Sequence, residues 1–311
     1  MKQQKIAILD ASTLGNDIDL SIFDELGEVS IFDTTSPSEV IAHISDANIV
    51  ITNKVIIDAS TMDKTNIKLI CIAATGMNNI DLLYAKEKNI EVKNVVGYSS
   101  ASVAQLTFSI ALQFIAKISY YDEYSKSGQW SNSPIFTNVS KPFYELDGKK
   151  WGIIGLGNIG KRVANIANSF GCEVSYYSTS GMNNNTDYKS LSLEELLKTS
   201  DIISIHCALN NDTKNLISKT NLSILKNKTI ILNLGRGGIV NEEDISLALD
   251  NSNIFYGTDV VTKEPIIKES PLLKVVNKDQ LIITPHIAWA SIEARNRLVT
   301  SIKDNIKEFT L

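Results

Sequence analysis

Trp151-Gly-Ile-Ile-Gly155-Leu-Gly157-Asn158-Ile159-Gly160, continuing into Lys161-Arg-Val-Ala-Asn-Ile-Ala167, decides how this chain is read. An apolar, β-rich run passes through three spaced glycines into an amphipathic helical pattern. In such a loop Gly155 permits the tight turn out of the strand, and Gly157 lets backbone approach a pyrophosphate. Gly160 lets the helix pack close to the sheet. The helix then presents unpaired N–H groups, with a favourable dipole, to phosphate oxygens. A lone motif of this kind is weak evidence, but its position between a clear strand and a clear helix favours a dinucleotide site.

Outward from this loop, short apolar runs alternate with helical patterns in both directions. Candidate strands before it are Lys5–Asp10, Val29–Phe32, Asn48–Asn53, Leu69–Thr75 and Val92–Val96. Those of the second series are Trp151–Ile154, Glu173–Ser178, Asp201–His206, Thr229–Leu234, Ile254–Val260 and Leu281–Thr284. Helix signals lie between them, among them Ile80–Lys88, a capping box at Ser192-Leu-Glu-Glu195 and an Asn241 cap on Glu242–Leu249. The alternation predicts an α/β fold of two doubly wound parallel-sheet domains. The segment Ala101–Ile118, apolar around most of its circumference, joins them as a buried helix. Gly128–Pro142 has no periodicity and reads as a long loop.

The balance of charges narrows the function. A formal net charge of -5 with scattered basic residues argues against a nucleic-acid partner. The uncharged stretch Asn94–Ala116 carries Gly97, Gln105, Thr107, Gln113 and four serines, so no membrane segment is expected. Cys71, Cys172 and Cys207 are far apart, lack metal-ligand spacing and sit in apolar runs. They read as buried reduced thiols of a cytoplasmic protein, with no metal site.

The strand after the glycine-rich loop ends in Ser178-Thr179-Ser180, where a ribose-binding Asp or Glu is usual. No Arg stands there to pair a 2′-phosphate, so the cofactor is NAD with NADP left open. Asn158, Ile159, Ser178, Thr179, Leu234 and Gly235 complete the candidate cofactor contacts. Beyond the C-terminal ends of the later strands stand Arg236, Glu264 and His286. Ligands of open α/β sheets bind there. A guanidinium clamps a carboxylate bidentately and polarises the adjacent carbonyl. An imidazole donates a proton to the developing alkoxide, and a carboxylate beside it orients the ring. Each alone is an unremarkable loop residue. Together, downstream of a dinucleotide loop, they suit hydride transfer to a 2-oxo acid. His43 and His206 are read as non-catalytic, with His206 lining the cofactor loop.

These segments resemble the D-isomer-specific 2-hydroxyacid dehydrogenase family. The phrases that carry the resemblance are Ala74-Thr-Gly-Met-Asn-Asn-Ile-Asp81, Gly155–Gly160, Asn233-Leu-Gly-Arg-Gly-Gly-Ile-Val240, Asp259–Pro265 and Thr284-Pro-His-Ile-Ala288. The resemblance implies that Arg236 binds substrate, Glu264 supports the acid and His286 donates the proton. It also implies that Thr75 and Gly76 hold the substrate carboxylate and that Asp259 approaches the nicotinamide. A Rossmann cofactor domain at 99–285 is expected within a flavodoxin-like substrate domain at 1–98 and 286–311. The resemblance further implies a homodimer paired through Ala101–Ile118. Within the family, Gly128–Pro134, Pro271–Leu273 and His286–Arg295 resemble glycerate dehydrogenases, also called hydroxypyruvate reductases, with Trp289 at the substrate. Two other readings are a broad-range 2-oxo acid reductase and a cofactor-sensing binding protein. The intact Arg236, Glu264 and His286 set argues against the sensor, which has no use for a proton donor.

Overall fold

The computed structural model describes residues 4–183 and 185–311. The chain forms two compact units, one made of the chain up to Ser99 with Trp289–Leu311, the other of Ser100–Ala288. The sequence placed these junctions at 98/99 and 285/286. Ser99 belongs to the first unit, and His286, Ile287 and Ala288 belong to the second. The shift at the second junction has a local cause. Asp259 at the end of a second-unit strand accepts the backbone N–H of all three residues, through its carbonyl and then its carboxylate.

The first unit is built on β1 (Gln4–Ile8), β2 (Gly27–Ile31), β3 (Ile49–Thr52), β4 (Leu69–Ile72) and β5 (Glu91–Lys93), all parallel, in the order β2-β1-β3-β4-β5. This is the flavodoxin-like winding. Strands β3 and β4 are buried throughout, as strands covered on both faces must be. Ile6, Ile8, Ile49, Ile51, Leu69 and Cys71 face the helix Ile292–Thr310, which answers with Ala294, Leu298, Val299, Ile302 and Ile306. That stripe recurs every three to four residues and is why this stretch is a helix. The alternate residues Ala7, Val50, Ile70 and Ile72 pack on the other face with Val40, Ile44, Met62 and Ala85. Each fully buried Ile or Leu contributes roughly 1.5–3 kcal/mol.

The second unit contains β6 (Lys150–Ile154), β7 (Glu173–Tyr177), β8 (Lys189–Ser190), β9 (Ile202–Ile205), β10 (Ile230–Asn233), β11 (Phe255–Thr258) and β12 (Leu281–Ile283). Their order is β12-β11-β10-β9-β6-β7-β8, all parallel. Counted from β6, this is the Rossmann order with one strand added at the far edge. The order reverses between β6 and β9, so the loops after these two strands flank the crevice where ligands of such sheets bind.

Several local expectations are corrected. The joining helix runs from Ser100 to Ala116 and stops at Lys117, whose φ of 54° breaks the helix, and a second helix, Ile118–Lys126, follows at 59°. Eight residues of the first are buried, and no single helix among the described residues is long and apolar enough to cross a membrane. Only half of the predicted capping box forms. Ser192 accepts the Glu195 N–H, but the Glu195 carboxylate lies 3.8 Å from Lys189. β8 was not expected, because two residues are too few to show a period. The Asn241 cap forms, accepting from Glu243 and Asp244. The three cysteines are buried and free, and burial raises their thiols to about 12 for Cys71 and about 11 for Cys172 and Cys207.

Candidate active site

The glycine-rich loop leaves β6 and enters the helix Asn158–Ser169. Gly155 has φ of +91°, and a Cβ there would come within 2.8 Å of the Cys207 backbone nitrogen. A Cβ on Gly160 would strike the Gly155 carbonyl, so both positions need glycine on internal grounds. Gly157 differs. A Cβ there meets nothing within 4 Å, and this residue caps the helix without a side-chain bond. Open space therefore stands before uncapped N–H groups, the arrangement that receives phosphate. Asn158 is exposed and Ile159 half-buried on the first turn.

His206 follows β9, on the other side of the switch point, with its N–H bonded to the Ile154 carbonyl at 2.8 Å. Both of its ring nitrogens are shielded from solvent and lack a partner among the described residues. Burial lowers its ordinary value of 6.5 to about 3, so the ring is neutral, with one donor and one acceptor unpaired. Orphaned buried polar atoms of this kind call for a ligand. The open cradle at Gly157 and the unsatisfied imidazole beside its loop together fit a dinucleotide.

At the tip of β7, Ser178 Oγ accepts the Asn183 N–H at 3.3 Å, while Asn183 Nδ2 donates to the Leu156 carbonyl at 2.7 Å. Asn183, unnoticed in the sequence, ties the ribose-side turn to the glycine-rich loop. Thr179 is half-buried beside it. The turn carries hydroxyls and amides, with no carboxylate among Ser178–Asn183.

Arg236, Asp259 and His286 follow β10, β11 and β12, whose last residues Asn233, Thr258 and Ile283 are in register. Adjacent strands lie about 4.8 Å apart, so the tips of β10 and β12 are separated by roughly 10 Å. Leu234 is buried, and Asn233 shapes the turn by accepting the Gly235 N–H at 3.2 Å and donating to the Arg236 carbonyl at 2.9 Å. Exposed Arg236 donates through Nη1 to the Gly235 carbonyl at 2.8 Å.

A short polar contact joins His286 and Glu264. His286 Nδ1 lies 2.6 Å from Glu264 Oε2, with the two side chains 27% and 34% exposed. The other carboxylate oxygen accepts the Val261 N–H at 3.1 Å, which fixes the carboxylate. A carboxylate only accepts, so Nδ1 carries the hydrogen. Nε2 is then the ring atom left for a ligand, an acceptor when neutral and a donor when protonated. Asp259 is 1% exposed and saturated by the Thr284 hydroxyl at 2.6 Å and the Ile287 and Ala288 N–H groups at 2.8 Å. It is a clamp on the His286 loop.

Thr75, Gly76 and Trp289 lie in the first unit. Thr75 Oγ1 donates to the Val95 carbonyl, and Asn94 Nδ2 donates to the Thr75 carbonyl at 2.6 Å, so the loop after β4 is tied to the end of β5. Trp289 packs against its core, edge-on to Tyr98 at 6.4 Å. His43 stacks on Phe32 at 3.7 Å and shares a hydrogen bond with Thr35, as a structural histidine does.

Residues 108–288, more than half of the chain, match the family model described as D-isomer specific 2-hydroxyacid dehydrogenase, NAD binding domain. The chain belongs to that family. The dehydrogenase is 38% identical to a hydroxypyruvate reductase of Blautia hydrogenotrophica, over 98% of this chain and 96% of the relative. It is 33% identical to a glycerate dehydrogenase of Methylorubrum extorquens, with the same two coverages. Its fold matches a D-lactate dehydrogenase of Aquifex aeolicus, solved with NAD and lactic acid, at a TM-score of 0.81 and 25% identity over 99% and 95% of the two chains. The dehydrogenase is thus an NAD-linked oxidoreductase of small 2-hydroxy acids, and the glycine-rich loop lies in its NAD-binding domain. A pure cofactor sensor is not the reading these relatives support.

Proposed function

We propose that the dehydrogenase reduces hydroxypyruvate to D-glycerate with NADH, and that Arg236, Glu264 and His286 handle the substrate. The 2.6 Å contact between His286 Nδ1 and Glu264 carries this reading, because it aims a protonatable Nε2 outward from an oriented ring. When bound, the nicotinamide supplies the hydride. Arg236 receives the substrate carboxylate on its planar fork and polarises the carbonyl. His286 gives its Nε2 proton to the carbonyl oxygen. Glu264 keeps the ring aligned and offsets the imidazolium charge.

The glycine-rich loop, Asn158, Ile159, Ser178, Thr179, His206, Leu234 and Gly235 hold the dinucleotide in the mid-chain unit. Thr75, Gly76 and Trp289 are assigned to substrate binding on the family resemblance. Asp259 acts through the His286 loop. A homodimer is supported by the exposed apolar group Trp130, Ile135, Phe136, Val139 and Phe143, since monomers rarely leave such a patch uncovered. On this reading the pairing surface lies after the joining helix, whose buried face packs into its own core. Buried free thiols agree with a cytoplasmic setting.

The relatives named hydroxypyruvate reductase and glycerate dehydrogenase support the substrate assignment. A site that hydrogen-bonds the C3 hydroxyl discriminates strongly against substrates lacking it. Steady-state kcat/KM with NADH is expected to be highest for hydroxypyruvate, with glyoxylate at or below an intermediate value and pyruvate lower. Pyruvate equal to hydroxypyruvate would move the assignment to a broad-range 2-oxo acid reductase.

A further inference from the structure

At the N-terminal rim of the seven-stranded sheet, the end opposite His286, the second unit has a half-open cavity of about 260 Å3. Its floor is made by Ile202, Ile230 and Phe255, the first residues of β9, β10 and β11, which are partners in register. Phe114 and Tyr144 form the walls, with the Phe114 and Phe255 rings 5.4 Å apart.

Three ammonium groups converge on these rings. Lys228 Nζ is 2.6 Å from the Tyr144 hydroxyl and 4.9 Å from its ring centroid. Lys149 Nζ is 5.8 Å from the same centroid, and Lys117 Nζ is 5.6 Å from that of Phe255. The only carboxylate among the described lining residues, Asp201, is already engaged by the Lys226 ammonium and by the Lys150 N–H at 2.9 Å. One carboxylate, which also feels the field of Lys149, against Lys117, Lys149 and Lys228 leaves the lining net positive. The Tyr144 phenol registers it: the Lys228 hydrogen bond, then the fields of Lys228, Lys117 and Lys149, hold it below its ordinary value of 10.0.

The backbone gives a second, independent observation. Among the described residues, five non-glycine positions have positive φ, namely Asn89, Lys117, Asn215, Lys228 and His286. Asparagine and histidine are enriched in this region among non-glycine residues, but lysine enters it rarely. Setting the asparagines aside, one such residue is His286 and the other two both line this cavity. Strained backbone of this kind concentrates at ligand sites.

We infer that the cavity is a binding site, separate from the cofactor loop, for a small organic anion with a flat apolar body, such as an aryl phosphate. The aromatic walls bury the body and the ammonium groups take the charge. The volume lies just under the usual range for drug-sized ligands, so the ligand is small.

Calorimetric titration of the NADH-saturated protein tests the inference, using phenyl phosphate beside inorganic phosphate and benzyl alcohol, which carry the charge and the body separately. Phenyl phosphate is expected to bind once per chain, about tenfold or more tighter than either partial ligand. Lys117→Asn with Lys228→Asn, which suits the left-handed backbone, should weaken it about tenfold without changing KM for NADH. Lys149→Gln should weaken it by a smaller factor, and it decides the matter if the double variant fails to fold. Absent binding, binding no tighter than inorganic phosphate, or binding indifferent to these lysines overturns the inference.

Discussion

The Asp259 carbonyl accepts the His286 N–H at 2.9 Å, and the Asp259 carboxylate then accepts the N–H groups of Ile287 and Ala288. His286 is held at φ of 54°, a backbone conformation uncommon among non-glycine residues. The buried carboxylate thus imposes the local turn that brings Nδ1 to Glu264. Burial raises the Asp259 carboxyl above its ordinary value, opposed by the Thr284, Ala288 and Ile287 hydrogen bonds.

Asp259→Asn leaves one acceptor oxygen where two serve three donors. At least one buried N–H then loses its partner or faces an amide NH2. Urea denaturation should show a loss of about 1–3 kcal/mol, the cost of one unsatisfied buried group. kcat should fall as well. Unchanged stability and kcat would show that the His286 loop holds its turn without the clamp.

His286→Ala should cost roughly 10²- to 10⁴-fold in kcat, the usual contribution of a positioned general acid. Glu264→Gln should cost less, because an amide can still accept from Nδ1. Arg236→Lys should lower kcat/KM for the 2-oxo acid by on the order of 10²-fold, since an ammonium cannot reproduce the planar fork. KM for NADH should stay nearly constant throughout. Wild-type kcat/KM in Arg236→Lys would demote that residue to a surface charge.

His206 makes stability depend on pH. Its folded value is lowered from 6.5 to about 3 by burial, so the unfolded chain takes up a proton before the native one does. The stabilisation is complete above pH 6.5 and is lost as pH falls from there toward 3. The slope approaches about 1.4 kcal/mol per pH unit. In cofactor-free protein, His206→Asn should flatten ΔG between pH 6.5 and 5 and raise KM for NADH. Parallel wild-type and variant curves across that window would mean that the ring protonates freely in the native state.

Ser178 sits where a carboxylate would accept ribose hydroxyls and repel a 2′-phosphate. The neutral turn from Ser178 to Asn183 does neither strongly, so NADH should be the working cofactor, with NADPH accepted at a lower rate. Ser178→Asp should sharpen the preference for NADH by perhaps ~1–3 kcal/mol. The ratio of kcat/KM for NADH and NADPH, at one ionic strength, measures it. A wild-type preference for NADPH of about tenfold, roughly 1.4 kcal/mol, would reveal a cation reading the phosphate from elsewhere in the chain.

Eleven of the strands were legible because each is a short apolar run bounded by turn residues, a signal written in adjacent positions. β8 was missed because two residues on a sheet edge carry no such run. The break at Lys117 was missed for a related reason: the apolar pattern runs past it, and nothing in the local composition marks a positive φ. Half of the Ser192 capping box failed because Glu195 lies near Lys189, a neighbour that only the folded chain supplies.

By itself the sequence determined the order of elements, the parallel α/β class, the glycine-rich loop and the polar residues standing after the strands. These follow from periodicity and turn chemistry, which act between residues a few positions apart. The tertiary structure alone decided which of those residues meet. Glu264 and His286 are 22 positions apart and Asp259 and Ala288 are 29 apart. Their contacts exist because β10, β11 and β12 are adjacent and in register. It also decided that His206 has no partner for either ring nitrogen among the described residues, and that Lys117, Lys149 and Lys228 share one aromatic cavity. Burial and convergence are properties of the packed sheet, and no window of sequence contains them.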